Sequence, residues 1–470
     1  MNFIKKNKLV FLLYIIVTLF FIYQHYQSIS WDFSVYVLNA KYWLDDGNYF
    51  EPYRPPLMPA VLILLSIFTW KIAEYVYIIL ISTLFFTSSI KLAKTLKINQ
   101  LFFYSTTITI YSLHFGLING TELASVAFLE LGISALLTNS INGHWFALAS
   151  LVRYNLIPIG ILILLNKNIK KIAINIILFA IPFIPWLLYN YYKYGNLFLS
   201  IADIYAQNVL WRSYIHQGFN LEHIAFALNF LTPLFIFGII LFIKKASSYF
   251  DLKKYTAELI MIFLFIFTIY SYSNIPIKDV RYLFIIILPI AFFSTKALEY
   301  IKKNISNYIV AILLIVTLVS SFAISIESKP YKQAVEKIKE LNIDCDARSN
   351  EWPFMNYYGL ETDDYPRQEL LNYSINKGEI NIFFLKTKEP EYILNKTFIS
   401  RFPILIKEKE FMILGNNNCN KTNKKLDKPY TVKVNETIKL MYGEGIDIEP
   451  CNILFKSKIL RNTCNFINLK

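Results

Sequence analysis

The chain has 470 residues, of which 55% are hydrophobic and 17% charged, with a mean hydropathy of +0.41. That composition excludes an ordinary soluble domain. The net charge of +14 calls for no nucleic acid, because its lysines border apolar runs as membrane-topology signals do.

Taken in order, the apolar runs predict a polytopic, mostly α-helical bundle with about eleven crossings of a ~30 Å hydrocarbon layer. Lys5, Lys6 and Lys8 precede the first run, Leu9–Tyr23. No small-residue cleavage site follows it, so it reads as a retained anchor with a cytoplasmic N-terminus. A first external loop, 24–71, comes next and carries WDFSVYVLNAKYWLDDGNYFEPYRPPLMP. In it Asp32 reads either as a helix N-cap or as a working carboxylate, and Asp45-Asp46-Gly47-Asn48 as a turn. The run Leu57–Trp70 is too short to cross and is expected at or dipping into the outer interface. Crossings follow at Ile72–Ile90, Leu101–Leu117 and Leu123–Leu137, with Thr121-Glu122 opening the last.

Trp145–Leu165 is one apolar run interrupted by Arg153-Tyr154-Asn155, although both flanks read as cytoplasmic. A charge in mid-run is costly without water or a partner. The run therefore reads as a broken helix pair with Arg153 at its outer tip. Ile172–Tyr189, kinked by Pro182 and Pro185, leads to an external loop bearing Arg212 and His216. At i, i+4 these two would share a helix face. Ile224–Ile243, Leu259–Tyr272, Arg281–Leu298 and Tyr308–Ser325 complete the bundle, with Lys278, Asp279 and Arg281 around one outer turn.

The tail is expected outside the cytoplasm as an α/β domain over 327–415, followed by a Cys-containing, β-rich extension over 416–470. All four cysteines (Cys345, Cys419, Cys451, Cys464) lie there, which points to disulfides in an oxidising compartment, with three connectivities open. Sequons at Asn372, Asn395, Asn420 and Asn435 add little in so Asn-rich a chain.

This topology gathers acids and cations at one mouth of the bundle. Arg forks match phosphate oxygens and Lys offers a point charge, so the set suits a phosphate-bearing amphiphile with its tail among the helices. Each residue also has an ordinary reading: Glu122 as a helix-dipole partner, Arg281 as a snorkelling anchor, Lys278 as a solvated loop charge, His216 as inert. A lipid-phosphate or solute transporter is the competing class, disfavoured because the charges avoid mid-bilayer and no internal repeat is visible.

The order of Trp31-Asp32, Tyr53-Arg54-Pro55-Pro56-Leu57-Met58-Pro59, Thr121-Glu122, LASLVRYN (Leu148–Asn155), Pro185-Trp186, Tyr194-Gly195-Asn196, KDVRY (Lys278–Tyr282) and SNEWPFMNYYG (Ser349–Gly359) resembles the GT-C superfamily of polytopic glycosyltransferases. The resemblance is to the protein O-mannosyltransferase and lipid A aminoarabinose transferase branch. It implies a cell-membrane enzyme that moves a sugar from a polyprenyl-phosphate donor to a protein, lipid or glycan acceptor on the extracytoplasmic face. It further implies catalytic roles for Asp32 and Glu122, donor-phosphate roles for Arg54, Arg153, Lys278 and Arg281, and an acceptor-side loop at Arg212 and His216. Phe33 follows Asp32 where O-mannosyltransferases usually carry a second acid. That departure weakens a protein-mannosylation assignment. Some members use a divalent cation and others do not, so the cofactor stays open.

Overall fold

The computed structural model describes residues 8–212, 217–248, 254–323, 330–340, 345–385, 390–416, 421, 425–427, 429–435, 449–454 and 457–468. The chain divides into two compact units.

The first unit comprises Met1–Tyr26, Pro52–Ser325 and Pro429–Lys470. Among the described residues, 7 helices are long and apolar enough to cross a membrane: Lys8–Gln27, Trp70–Thr95, Ile169–Tyr194, Leu221–Ser247, Thr256–Asn274, Val280–Tyr300 and Lys303–Ala323. The other expected crossings fall on shorter elements. Leu101–Leu117 is broken into helices Gln100–Thr107 and Ile110–Phe115. Leu123–Leu137 is the helix Glu122–Leu137. The expected broken pair is Gly143–Val152 followed by a 3-10 helix, Tyr154–Leu165. The short run after the Pro-Pro pair forms the 9-residue helix Leu57–Leu65, which stops at Ser66.

Burial sorts these helices. Val280–Tyr300 is 83% buried and Trp70–Thr95 61%, whereas Ile169–Tyr194 is only 17% buried. The first two form the centre of the bundle, and the last leaves Ile174, Ile177, Ile181 and Ile184 exposed on its outer side. Such apolar exposure is ruinous in water and appropriate against lipid. Small and hydroxyl side chains join the inner helices. Tyr14 pairs with Thr83 at 2.8 Å, Thr18 with Ser82 at 2.7 Å, and Ser89 donates to Glu130 at 2.8 Å. Hydrogen bonds of this kind hold helices where no hydrophobic drive separates protein from lipid. Gly238 serves close approach: a Cβ there would lie 2.0 Å from the carbonyl oxygen of Phe293.

The helix break at Arg153 has a local cause. Asn142 makes no side-chain cap for Gly143–Val152. The cap comes from a neighbouring helix, where the side-chain oxygen of Asn175 accepts from Asn142 N at 2.8 Å and Gly143 N at 3.0 Å. At its other end the helix stops because Arg153 adopts an extended backbone, φ −147° and ψ 109°. Pro182 lies in a 3-10 turn, Ile181–Phe183, within Ile169–Tyr194. Gly195 then ends that helix in the left-handed region at φ 72°, which glycine adopts without strain.

The second unit comprises Gln27–Glu51 and Ile326–Lys428. It holds a five-stranded mixed sheet of β1 (Ala347–Ser349), β2 (Thr362–Asp364), β3 (Ile380–Phe384), β4 (Ile404–Lys407) and β5 (Phe411–Leu414), in the order β2-β1-β3-β5-β4. The β1 pairings are parallel and the others antiparallel. Both faces are covered. Ile380, Ile382, Phe384, Phe411 and Ile413 pack with the helix Tyr331–Glu340 on one side. Phe383, Met412 and Leu414 pack with Leu371 and Ile375 on the other. The period of two along β3 and β5 dictates this split.

Two expectations about boundaries change. The Asp32-bearing part of the first loop belongs with the α/β unit, not with the bundle. The reason is aromatic: Trp31 meets Trp352 edge-to-face at 4.6 Å and Phe354 at 6.0 Å. The expected β-rich extension over 416–470 also differs. Its described residues include the helices Pro450–Leu454 and Lys458–Ile467. They are joined by a Cys451–Cys464 disulfide, so a covalent link stands where a strand ladder was expected.

Candidate functional site in the helix bundle

Glu122 and Arg153 meet although 31 residues separate them. Helix Glu122–Leu137 begins at the acid itself, and Tyr77 fixes the turn before it by donating to Gly120 O at 2.7 Å. Thr121 makes no cap of its own; its hydroxyl donates to Glu122 Oε2 at 3.2 Å, and Asn119 donates to Oε1 at 3.3 Å. Arg153, delivered by the helix break, forms a close ion pair with Oε1. The Glu122 side chain is 1% exposed and that of Arg153 13%. A carboxylate so enclosed is tolerable only because it receives three donors.

The turn before Val280–Tyr300 lies against the same locus. Helices Ile110–Phe115 and Glu122–Leu137 both touch the 3-10 segment Val280–Ile286. Tyr111 donates to Val280 O at 2.7 Å and interacts electrostatically with Arg153, Glu122 and Asp279. Asp279 caps the turn by accepting from Arg281 N at 3.0 Å and pairs with the Arg281 guanidinium at 2.9 Å. The first unit thus brings together Glu122, Arg153, Tyr111, Asp279 and Arg281.

Lys278 departs from expectation. It is buried, and its ammonium donates to the carbonyls of Tyr272 (3.0 Å), Ser273 (2.9 Å) and Ile275. An ammonium has three donors, so all are directed at the C-terminal end of the helix Thr256–Asn274. Burial also draws its pKa below the usual lysine range. Lys278 is thus buried against backbone carbonyls and is not a solvated loop charge.

Arg54 stacks on the ring of Tyr53 at 4.9 Å. Arg212 follows the π-helical turn Ala206–Trp211 and donates to Asn208 Oδ1 at 3.0 Å. His216 and Cys419 lie outside the described residues. Cys345 is buried in the α/β core and disulfide-bonded.

In the second unit, Asp32 occupies the first turn of the helix Trp31–Trp43. The N-cap is Ser30, whose hydroxyl oxygen accepts from Phe33 N at 3.1 Å, so Asp32 is relieved of capping and stands half-buried where the helix dipole favours negative charge. The loop beyond is firmly held. Asn39 bonds both backbone groups of Glu51 at 2.9 Å, and Trp352 donates to Tyr49, whose hydroxyl donates to Glu51. The turn at Asp45-Asp46-Gly47 forms as expected, with Asp45 at φ 55°. Among the described residues no three His, Cys, Asp or Glu side chains are grouped as metal ligands.

Sequence reasoning missed Asn39, Tyr111 and Asp203, all ordinary core or loop residues by pattern. Asp203 is fully buried and accepts from Tyr430 N at 2.9 Å and Thr431 N at 2.7 Å.

Among the described residues, seven long apolar helices and a covered mixed sheet make a polytopic helical membrane bundle with an α/β unit. Among solved structures the chain is similar to the crystal structure of ArnT from Cupriavidus metallidurans bound to undecaprenyl phosphate. The TM-score is 0.57 over 89% of this chain and 100% of that one, at 9% identity. The likeness spans nearly everything and, at that identity, carries the fold. No protein-family model matches the chain, and no curated protein matches it.

Proposed function

We propose that this protein is a membrane glycosyltransferase that transfers a sugar from a polyprenyl-phosphate carrier to an acceptor on the extracytoplasmic face. The observation that carries the reading is the Glu122–Arg153 locus, with Arg281 on the adjoining turn, inside a bundle whose fold matches a protein solved with undecaprenyl phosphate. In this reading Arg153 and Arg281 hold the carrier phosphate and stabilise the charge that grows on it as the glycosyl bond breaks. Glu122 orients Arg153. Asp32 accepts the proton of the acceptor hydroxyl as its oxygen attacks the anomeric carbon; polyprenyl phosphate leaves and the sugar inverts. The lysine clusters at 5–8, 91–97, 167–171 and 302–303 support a cytoplasmic N-terminus, and the disulfides support an oxidising compartment for the tail.

The test is transfer by membranes carrying the full chain, supplied with polyprenyl-phosphate-linked sugars. Asp32→Asn should lower turnover by at least ~10²-fold at unchanged expression, the scale of a general base. Undiminished transfer in that variant would remove Asp32 from the chemistry.

A further inference from the structure

The end of the chain returns to the bundle unit and is anchored there twice. Near 430, Asp203 accepts from Tyr430 N and Thr431 N. Near 468, Asn468 accepts from Leu197 N at 2.8 Å while donating to Cys464 O at 2.8 Å beside the Cys451–Cys464 disulfide. Between these anchors the helix Pro450–Leu454 packs on Leu199–Tyr205. Both ends thus grip one short segment, the helix Leu199–Tyr205 and the turn before it.

What this clasp delivers is chemically specific. The Tyr430 ring meets Tyr53 edge-on at 5.9 Å and Trp211 edge-on at 5.9 Å. The Lys433 ammonium stands 5.8 Å from the Trp211 ring and 5.7 Å from that of Tyr430. Arg54 covers Tyr53, whose hydroxyl accepts from Gln207 at 3.1 Å. Three distant segments (52–54, 207–212 and 430–433) therefore converge as three rings and two cations. Tyr53 is enclosed, whereas Trp211, Tyr430, Lys433 and Arg54 are all half-buried, so two of the three rings and both cations keep open area. Broad aromatic faces suit the C–H faces of a pyranose, and ammonium and guanidinium groups suit an anionic substituent on it.

We propose that Tyr53, Trp211 and Tyr430 with Lys433 and Arg54 form a subsite for an anionic sugar, a pyranose bearing phosphate or carboxylate, assembled by the C-terminal clasp. The inference rests on the glycosyltransferase reading and extends it to substrate class. The ligand chemistry has two sources, the headgroup of the donor or the acceptor glycan.

The experiment uses the full chain in nanodiscs, with calorimetric titration of glucose 1-phosphate, glucose and inorganic phosphate. Wild type should bind glucose 1-phosphate more tightly than either part. Trp211→Ala and Lys433→Met should each weaken it about tenfold, the scale of a lost ring or cation contact. Trp211→Phe and Lys433→Arg should restore it to within about threefold, which a merely structural role would not require. Adding undecaprenyl phosphate separates the sources: simultaneous binding assigns the subsite to the acceptor and competition assigns it to the donor headgroup, and both uphold it. Absence of glucose 1-phosphate binding to wild type, or binding indifferent to both disruptive variants, overturns the subsite. Failure of undecaprenyl phosphate to bind wild type counts instead against the parent function.

Discussion

Glu122 and Arg153 make the sharpest energetic prediction. The acid is 1% exposed and the guanidinium 13%. At an effective dielectric of about 20, opposite charges 4 Å apart attract by about 4 kcal/mol. Each also carries a desolvation cost that its partner offsets. Glu122→Gln removes from enclosed Arg153 the counter-charge that Glu122 supplies, and Arg153→Met takes the guanidinium from a carboxylate that also accepts from Asn119 and Thr121. Each single variant should therefore lose about 3–5 kcal/mol. The double variant should lose far less than the sum, a coupling of about 2 kcal/mol or more. Equilibrium unfolding in mixed detergent–SDS micelles reads all four corners of the cycle. If the two losses add to within about 0.5 kcal/mol, the pair is not an energetic unit and the locus has been misread. A second readout separates architecture from function. Undecaprenyl phosphate should raise the stability of wild type by about 2.7 kcal/mol at a hundredfold excess over Kd, and should do nothing for Arg153→Met.

Further outcomes follow from the clasp and the helix packing. Burial lifts Asp203 from its ordinary 3.8 to about 6, against the hydrogen bonds from Thr431 and Tyr430. The folded chain then holds more protons than the unfolded chain between those values. Stability on this group's account is highest below about pH 4 and falls by about 3 kcal/mol as pH rises through 6. Asp203→Asn should flatten that slope, as measured by hydrogen exchange of 430–435 across pH 4–7. Replacing Cys451 and Cys464 by Ser opens a link with a sequence separation of 13 and should cost about 3 kcal/mol locally, seen as protease cutting within 449–468 that leaves the bundle intact. Gly238→Ala forces a Cβ toward the Phe293 carbonyl and should destabilise by about 1–3 kcal/mol in the same unfolding assay; no change would mean the two helices separate without cost.

The helices were readable because lipid demands long apolar runs with satisfied backbones, and that demand is written locally. The break at Arg153 was readable for the same reason, since an isolated charge in an apolar run has few tolerable placements. The α/β character of 327–415 showed as well, since Ile380–Phe384 and Phe411–Leu414 carry short apolar runs. The burial of Lys278 was not legible because its carbonyl partners exist only once the helix Thr256–Asn274 ends where it does. Helices in the last segment were missed because Asn, Thr and Cys density hid their period and a disulfide does the holding.

Composition and run length by themselves determined that this chain enters a membrane many times and carries an α/β unit after its last apolar run, because hydrocarbon and β-pleat impose periods visible within a dozen residues. Which distant groups meet was settled only by closure of the chain in three dimensions. Glu122 finds Arg153, Trp31 finds Trp352, and Asp203 finds the backbone of Tyr430 and Thr431. No local pattern encodes those pairings, since each is chosen by the need of a buried charge or ring for a partner that the rest of the fold brings within reach.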